Sequence, residues 1–297
     1  MHFKINVPPA AGAPRVSLPF RLVTAAAIAF LLFSGNSAWS MLPSKVKAPN
    51  PVLMVAHRGE SHLAPENTLA AFNLAWARGV PAIEFDCFLT TDKRIIVIHD
   101  GNAKRTGGAD LVIGETSSQE LRKLDVGRWK GEAFTGEKMP FIEEVLATIP
   151  EHGIAYCEVK CGPEILPLLR EAIDRSGKRS RITIISFKLD VCAGAKKLMP
   201  DLPVFLLKAP DKDPKSGASL PYDDSLIQTC LSHHLDGLDL QYEKITRALV
   251  GKSHAAGLKL IAWTCDDVDV ARRLVADRVD GITTNRAAWL AGQLGLK

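Results

Sequence analysis

From Pro51 nearly to the C-terminus, short apolar runs bearing β-branched residues alternate with amphipathic helical patterns. Few folds accept that rhythm, because repeated strand–helix units build a parallel sheet covered by its own crossover helices. The predicted strands are Val52–Ala56, Ala82–Asp86, Ile95–Ile98, Ile154–Lys160, Ile182–Ser186, Val204–Leu207, Gly237–Gln241, Leu258–Trp263 and Gly281–Thr284. Helical patterns fall at Thr68–Arg78, Ile165–Ser176, Val191–Met199, Leu226–His233, Ile245–Ala256 and Val268–Ala276. No Gly-x-Gly-x-x-Gly turn follows the first strand, so a closed (β/α)8 barrel is expected over an open nucleotide-binding sheet. The strands exceed a barrel's eight by one. Ala82–Asp86 and Ile95–Ile98 lie too close in sequence for a crossover helix, so a hairpin-like excursion is expected there.

One segment breaks the rhythm. Residues 101–140 are rich in Gly, Lys, Arg and Glu, with a single short helical pattern near Gln119–Leu124. Long connections in compact domains are commonly binding loops or lids. The expected architecture is a distorted barrel over residues 51–297, with an insertion after the third strand.

Composition narrows the function classes. The chain is 46% hydrophobic and 24% charged, as in ordinary globular proteins. A formal charge of +4, with Lys and Arg dispersed, argues against a nucleic-acid partner. The cysteines (Cys87, Cys157, Cys161, Cys192, Cys230, Cys265) mostly sit in apolar runs, which is core usage. Residues 1–40 carry Lys4, Arg15 and Arg21, no acid, the apolar run Leu22–Phe33 and small residues near Ala38. That order is expected of a signal peptide leading to a periplasmic or secreted protein; a chain starting at Met41 would stay in the cytoplasm. The apolar run falls short of the roughly twenty residues a span needs, so no stable membrane span is expected.

Buried parallel strands should read as apolar, yet charges recur at their C-terminal ends. The first ends in His57-Arg58, the second in Glu84-Phe85-Asp86, the third in His99-Asp100 and the fourth in Glu158-Val159-Lys160. In a barrel such ends converge on one rim. Glu84 and Asp86, two apart on a strand, point to the same side. With Glu158 they offer three hard oxygen donors suited to Mg2+ or Ca2+; a pair of solvated rim acids, or a salt bridge to Lys160 or Arg58, is the alternative. His57 and His99 can serve as general acid and base, or as capping histidines. Arg58 and Lys160 can grip a phosphoryl group, although strict alternation points Arg58 away from His57 unless the turn at Gly59 re-aims it. Trp263 can wall the pocket or pack in the core, and Lys208 can add positive potential to the rim. Asp266-Asp267 reads as a helix N-terminus.

These residues resemble the glycerophosphodiester phosphodiesterase family. The likeness rests on His57-Arg58-Gly59, Pro65-Glu66-Asn67-Thr68, Ile83-Glu84-Phe85-Asp86, Val97-Ile98-His99-Asp100, Glu158-Val159-Lys160, Ser186-Phe187, Trp263-Thr264 and Asp280-Gly281-Ile282-Thr283-Thr284-Asn285. It implies a distorted TIM barrel with an insertion after the His-Asp motif. It further implies a divalent metal, usually Mg2+ or Ca2+, on Glu84, Asp86 and Glu158, an acid/base pair in His57 and His99, and phosphate contacts from Arg58 and Lys160. Glu66 is expected to shape the site entrance or the following helix start. Gly101-Asn102-Ala103-Lys104-Arg105 and Cys265-Asp266-Asp267 depart from the common pattern, leaving the preferred alcohol open. The expected activity is hydrolysis of a small-molecule glycerophosphodiester to an alcohol and sn-glycerol 3-phosphate. Rivals are a phospholipase or lysophospholipase D at a membrane and a non-catalytic phosphodiester-binding barrel.

Overall fold

The computed structural model describes residues 52–296, so the expectations for residues 1–40 lie outside the described residues. The strands are β1 (Leu53–Ala56), β2 (Ala82–Leu89), β3 (Ile95–Val97), β4 (Ile154–Val159), β5 (Ile182–Ser186), β6 (Val204–Lys208), β7 (Gly237–Gln241), β8 (Lys259–Trp263) and β9 (Gly281–Thr284). Eight of them pair in parallel in the order β1-β9-β8-β7-β6-β5-β4-β2, and β1 pairs with β2 to close the barrel. Sequence and structure agree on every strand to within a few residues.

The ninth strand, β3, is not a barrel stave. It runs antiparallel to β2, pairing Cys87 with Val97 and Leu89 with Ile95. The insertion therefore lies between the second and third staves. The reversal also changes how His99 reaches the rim. The chain climbs past Asp86 on β2, turns, and descends until Ile98 N–H donates to the Asp86 carbonyl at 3.1 Å. The insertion carries short helical turns at Lys104–Gly107, Ile113–Glu115, Ser118–Leu121 and Glu132–Phe134. Its apolar residues Ala103, Ile113, Leu121, Val126 and Met139 form a small core with Ile96 and Ile98 of the hairpin.

Alternation along each stave sorts the residues into two cores. Met54, Ala56, Ile83, Phe85, Cys157, Val159, Leu238, Leu240, Leu260 and Ala262 face the helices, in the large cluster between sheet and helical layer. Val55, Tyr156, Ile185, Phe205, Leu207 and Ile261 face inward and fill the barrel. Burying each Val, Leu, Ile, Met or Phe side chain among them contributes about 1.5–3 kcal/mol, which sets the register and hence the inward direction of every polar residue between them. Helices Ile142–Thr148 and Ala287–Gln293 were not among the predicted patterns. Among the described residues, no helix is long and apolar enough to cross a membrane.

Candidate active site

A cavity of about 250 Å3 opens at the C-terminal end of the barrel, lined by His57, Arg58, Glu84, His99, Glu158, Lys160 and Trp263 among others. Asp86 stands beside it. The structure thus brings all eight predicted site residues together.

The carboxylates come from two adjacent staves. Register sets Asp86 of β2 opposite Glu158 of β4, and Glu84 follows the same inward parity as Asp86. One oxygen from each of Glu84, Asp86 and Glu158 lies within 4.8 Å of the others, and all three residues are buried. Burial, then the negative charges of Asp86 and Glu158, push Glu84 well above its usual range. Burial and Asp86 push Glu158 up to about 8. Asp86 stays low despite burial, because Lys160 and Arg58 flank it. Lys160 Nζ lies 2.8 Å from Glu158 Oε1 and 3.4 Å from Asp86 Oδ1. One ammonium does not neutralise the cluster, and Glu84 Oε1 is buried with no hydrogen-bond partner. Three hard carboxylate donors, one of them unpartnered, fit a divalent cation.

Arg58 resolves its parity problem by leaving the extended conformation. Its φ is 56°, and Gly59 follows at 81°. A side chain is excluded at Gly59, where a Cβ would lie 2.6 Å from the Ala71 carbonyl carbon. The turn swings Arg58 back over the barrel, where its backbone N–H donates to Glu84 Oε2 at 3.0 Å. Nη1 donates to Glu66 at 2.8 Å, and Nε lies 3.4 Å from Asp86. Glu66 accepts from Arg105 as well, and both guanidiniums outweigh burial to hold it down at about 2. Glu66 therefore clamps arginines. The following helix, Leu69–Ala77, is capped instead by Thr68, which accepts from Ala71 N–H.

The two imidazoles have different partners. His57 Nδ1 lies 2.7 Å from Asn285 Oδ1. Asn285 Nδ2 donates to Asp266 Oδ2 at 2.6 Å, which orients the amide oxygen toward the histidine. Bonds from Thr284 and Asn285 outweigh burial and keep Asp266 below its usual range, hence an acceptor. His57 Nδ1 must then carry the proton, leaving Nε2 as a lone pair in the neutral ring. Burial and Arg58 lower His57 to about 4. His99 Nδ1 lies 2.7 Å from Asp100 Oδ1, and Asp100 Oδ2 accepts from Arg105 Nε at 2.6 Å. Burial, with Arg58 and Lys160, lowers His99 too, and Asp86 and Asp100 oppose that shift without reversing it. One imidazole is thus bonded to a neutral amide and the other to a carboxylate.

The far wall is aromatic and apolar. Trp263 donates Nε1–H to the Asp239 carbonyl at 3.0 Å, and its ring meets Phe187 edge-on at 5.5 Å. Lys208 turns away to Asp211, 2.7 Å distant, and is not among the lining residues. Asp267 does cap helix Val268–Ala276, whereas Asp266 belongs to the His57 relay, which corrects the joint reading of that pair.

Residues 57–288 match the model of the glycerophosphoryl diester phosphodiesterase family. The chain belongs to that family. It is 33% identical over 238 residues to a glycerophosphodiester phosphodiesterase of Caldanaerobacter subterraneus, covering 78% of this chain and 93% of the relative. It is 30% identical over 257 residues to one of Bacillus subtilis, covering 80% and 85%. Among solved structures, a phosphodiesterase of Oleispira antarctica in complex with the product sn-glycerol-3-phosphate superposes with a TM-score of 0.75 at 25% identity, covering 81% and 96%. In this phosphodiesterase, sequence reasoning missed Asn67, Asp239, Asp266 and Asn285 as parts of the site. Asn67 holds Asp86 through both amide atoms, at 2.8 and 3.2 Å, from a left-handed φ of 57°. Asp239 had a visible signal, as an acid inside an otherwise apolar strand; Asn67, Asp266 and Asn285 act through contacts between segments distant in sequence.

Proposed function

We propose that this phosphodiesterase hydrolyses glycerophosphodiesters, such as glycerophosphocholine or glycerophosphoethanolamine, to an alcohol and sn-glycerol 3-phosphate, with Mg2+ or Ca2+ on Glu84, Asp86 and Glu158. The observation that carries the reading is the buried carboxylate triad beside two imidazoles with differently charged partners. The cation supplies positive charge where negative charge develops on the phosphoryl group.

The chain's own residues supply the rest. Lys160 and Arg58 add fixed positive charge on the same side of the pocket, and Lys160 has a third N–H direction beyond its two carboxylates. His57, bonded through Nδ1–H to a neutral amide, offers the bare Nε2 as general base. His99 has the Asp100 carboxylate against Nδ1 to stabilise an imidazolium, a partner His57 lacks, and serves as general acid toward the departing alcohol. Trp263 and Phe187 exclude water along the opposite wall. The experiment is release of sn-glycerol 3-phosphate from glycerophosphocholine: activity should disappear with chelator and return with Mg2+ or Ca2+. Full turnover after exhaustive chelation would rule out the cation's part in this scheme.

A further inference from the structure

Asp239 has no place in that chemistry, yet it occupies the pocket. Its flanking residues Leu238 and Leu240 face the helical layer, so the pleat turns Asp239 into the barrel. Register sets it between Leu207 of β6 and Ile261 of β8, both members of the apolar barrel core. It lines the cavity while only 2% exposed. Its Oδ1 is buried without a hydrogen-bond partner, and among the described residues no cation pairs with it. It is also no part of the carboxylate triad. Among the lining residues on β5 to β8 and the loops that follow them, Asp239 is the ionisable one; the others are Ile185, Phe187, Leu207, Trp263 and Thr264.

An unpartnered acceptor in an apolar wall is unfavourable in the free protein and is satisfied when a ligand brings a donor. Phe187, two residues beyond the inward Ile185, is 47% exposed and marks the mouth, so Asp239 lies on the floor. In a glycerophosphodiester the alcohol varies and must leave through the mouth, whereas the glycerol moiety is constant. A three-carbon polyol matches this wall, with carbons for the aliphatic side chains and hydroxyl hydrogens for the single acceptor. A trimethylammonium headgroup has no N–H to give.

We propose that Asp239 is a specificity-determining residue whose carboxyl accepts a hydrogen bond from a hydroxyl of the glycerol moiety, a role that rests on the phosphodiesterase reading above. The test compares glycerophosphocholine with propyl phosphocholine, which lacks both glycerol hydroxyls, in the wild type, D239L and D239A. In the variants the ratio of kcat/KM values should fall about 10- to 100-fold, chiefly through the glycerol substrate, the size expected for one hydrogen bond to a charged or strongly polar acceptor. In parallel, sn-glycerol 3-phosphate should raise the Tm of the wild type more than inorganic phosphate does, and the variants should lose that difference. Either variant suffices if the other fails to fold. An unchanged ratio and an unchanged Tm difference in a folded variant would overturn the role of Asp239 alone. A wild type that cleaves neither diester would overturn the phosphodiesterase reading, and this role with it.

Discussion

Replacing Asp266 with Asn tests the assignment of His57 from a distance. Asp266 Oδ1 accepts from Thr284 Oγ1 and the Asn285 backbone N–H at 2.7 and 2.8 Å, while Oδ2 accepts from Asn285 Nδ2 at 2.6 Å. In D266N one position must become an NH2 donor. The backbone N–H keeps the remaining oxygen, so the new NH2 faces the Asn285 NH2. Asn285 relieves two opposed donors by turning over, which presents its own NH2 to His57 Nδ1. The imidazole must then accept at Nδ1 and carry its proton on Nε2, the wrong form for a base aimed into the pocket. A positioned general base contributes about 10²–10⁴-fold, so kcat should fall by about 10²-fold or more with KM little changed. Loss of bonds to a charged acceptor should also cost about 1–3 kcal/mol of stability. Steady-state kinetics on glycerophosphocholine, with nitrogen NMR reporting the His57 tautomer, checks both parts. A folded D266N enzyme within about threefold of wild-type kcat, with the proton still on Nδ1, would refute the relay and the base assignment that rests on it.

Single H57A and H99A variants should each lose about 10²-fold or more in kcat/KM, and near-normal turnover in both would remove the acid/base pair. Glu66 gives a stability prediction with a definite sign. Its carboxyl falls from 4.5 to about 2 in the folded protein, with its side chain 13% exposed. The ion pairs therefore contribute fully above pH 4.5 and are lost as pH falls toward 2. The contribution is at most about 3 kcal/mol, of which about 2 kcal/mol should be gone at pH 3. Urea unfolding of wild type and E66Q at pH 6 and pH 3 should show the gap between them closing in acid; a gap independent of pH would contradict the clamp.

Most of the fold was legible in the sequence because its signal is local. A buried stave is an apolar, β-branched run, and its crossover helix repeats with a different period, so neighbours in sequence are enough to recognise each unit. The two-residue period by itself also sorts Glu84 and Asp86 from Phe85, and it marks Arg58 as an exception. Ile142–Thr148 escaped because the insertion before it hid the rhythm, and Asp239 escaped although its strand was identified.

The tertiary structure alone decided which distant groups meet. Strand register set Asp86 opposite Glu158 across about seventy residues of chain, and closure of β9 onto β1 carried Asn285 to within 2.7 Å of His57. The short spacing after β2 already pointed to a hairpin, but its pairing, with Ile98 returned to the Asp86 carbonyl beside the rim, was set by the fold. Sequence determined the staves and the inward faces, since hydrophobic burial acts residue by residue. Partners, protonation preferences and the unpaired floor acid followed from barrel closure, because a hydrogen bond or a shifted charge depends on distances that no spacing along the chain specifies.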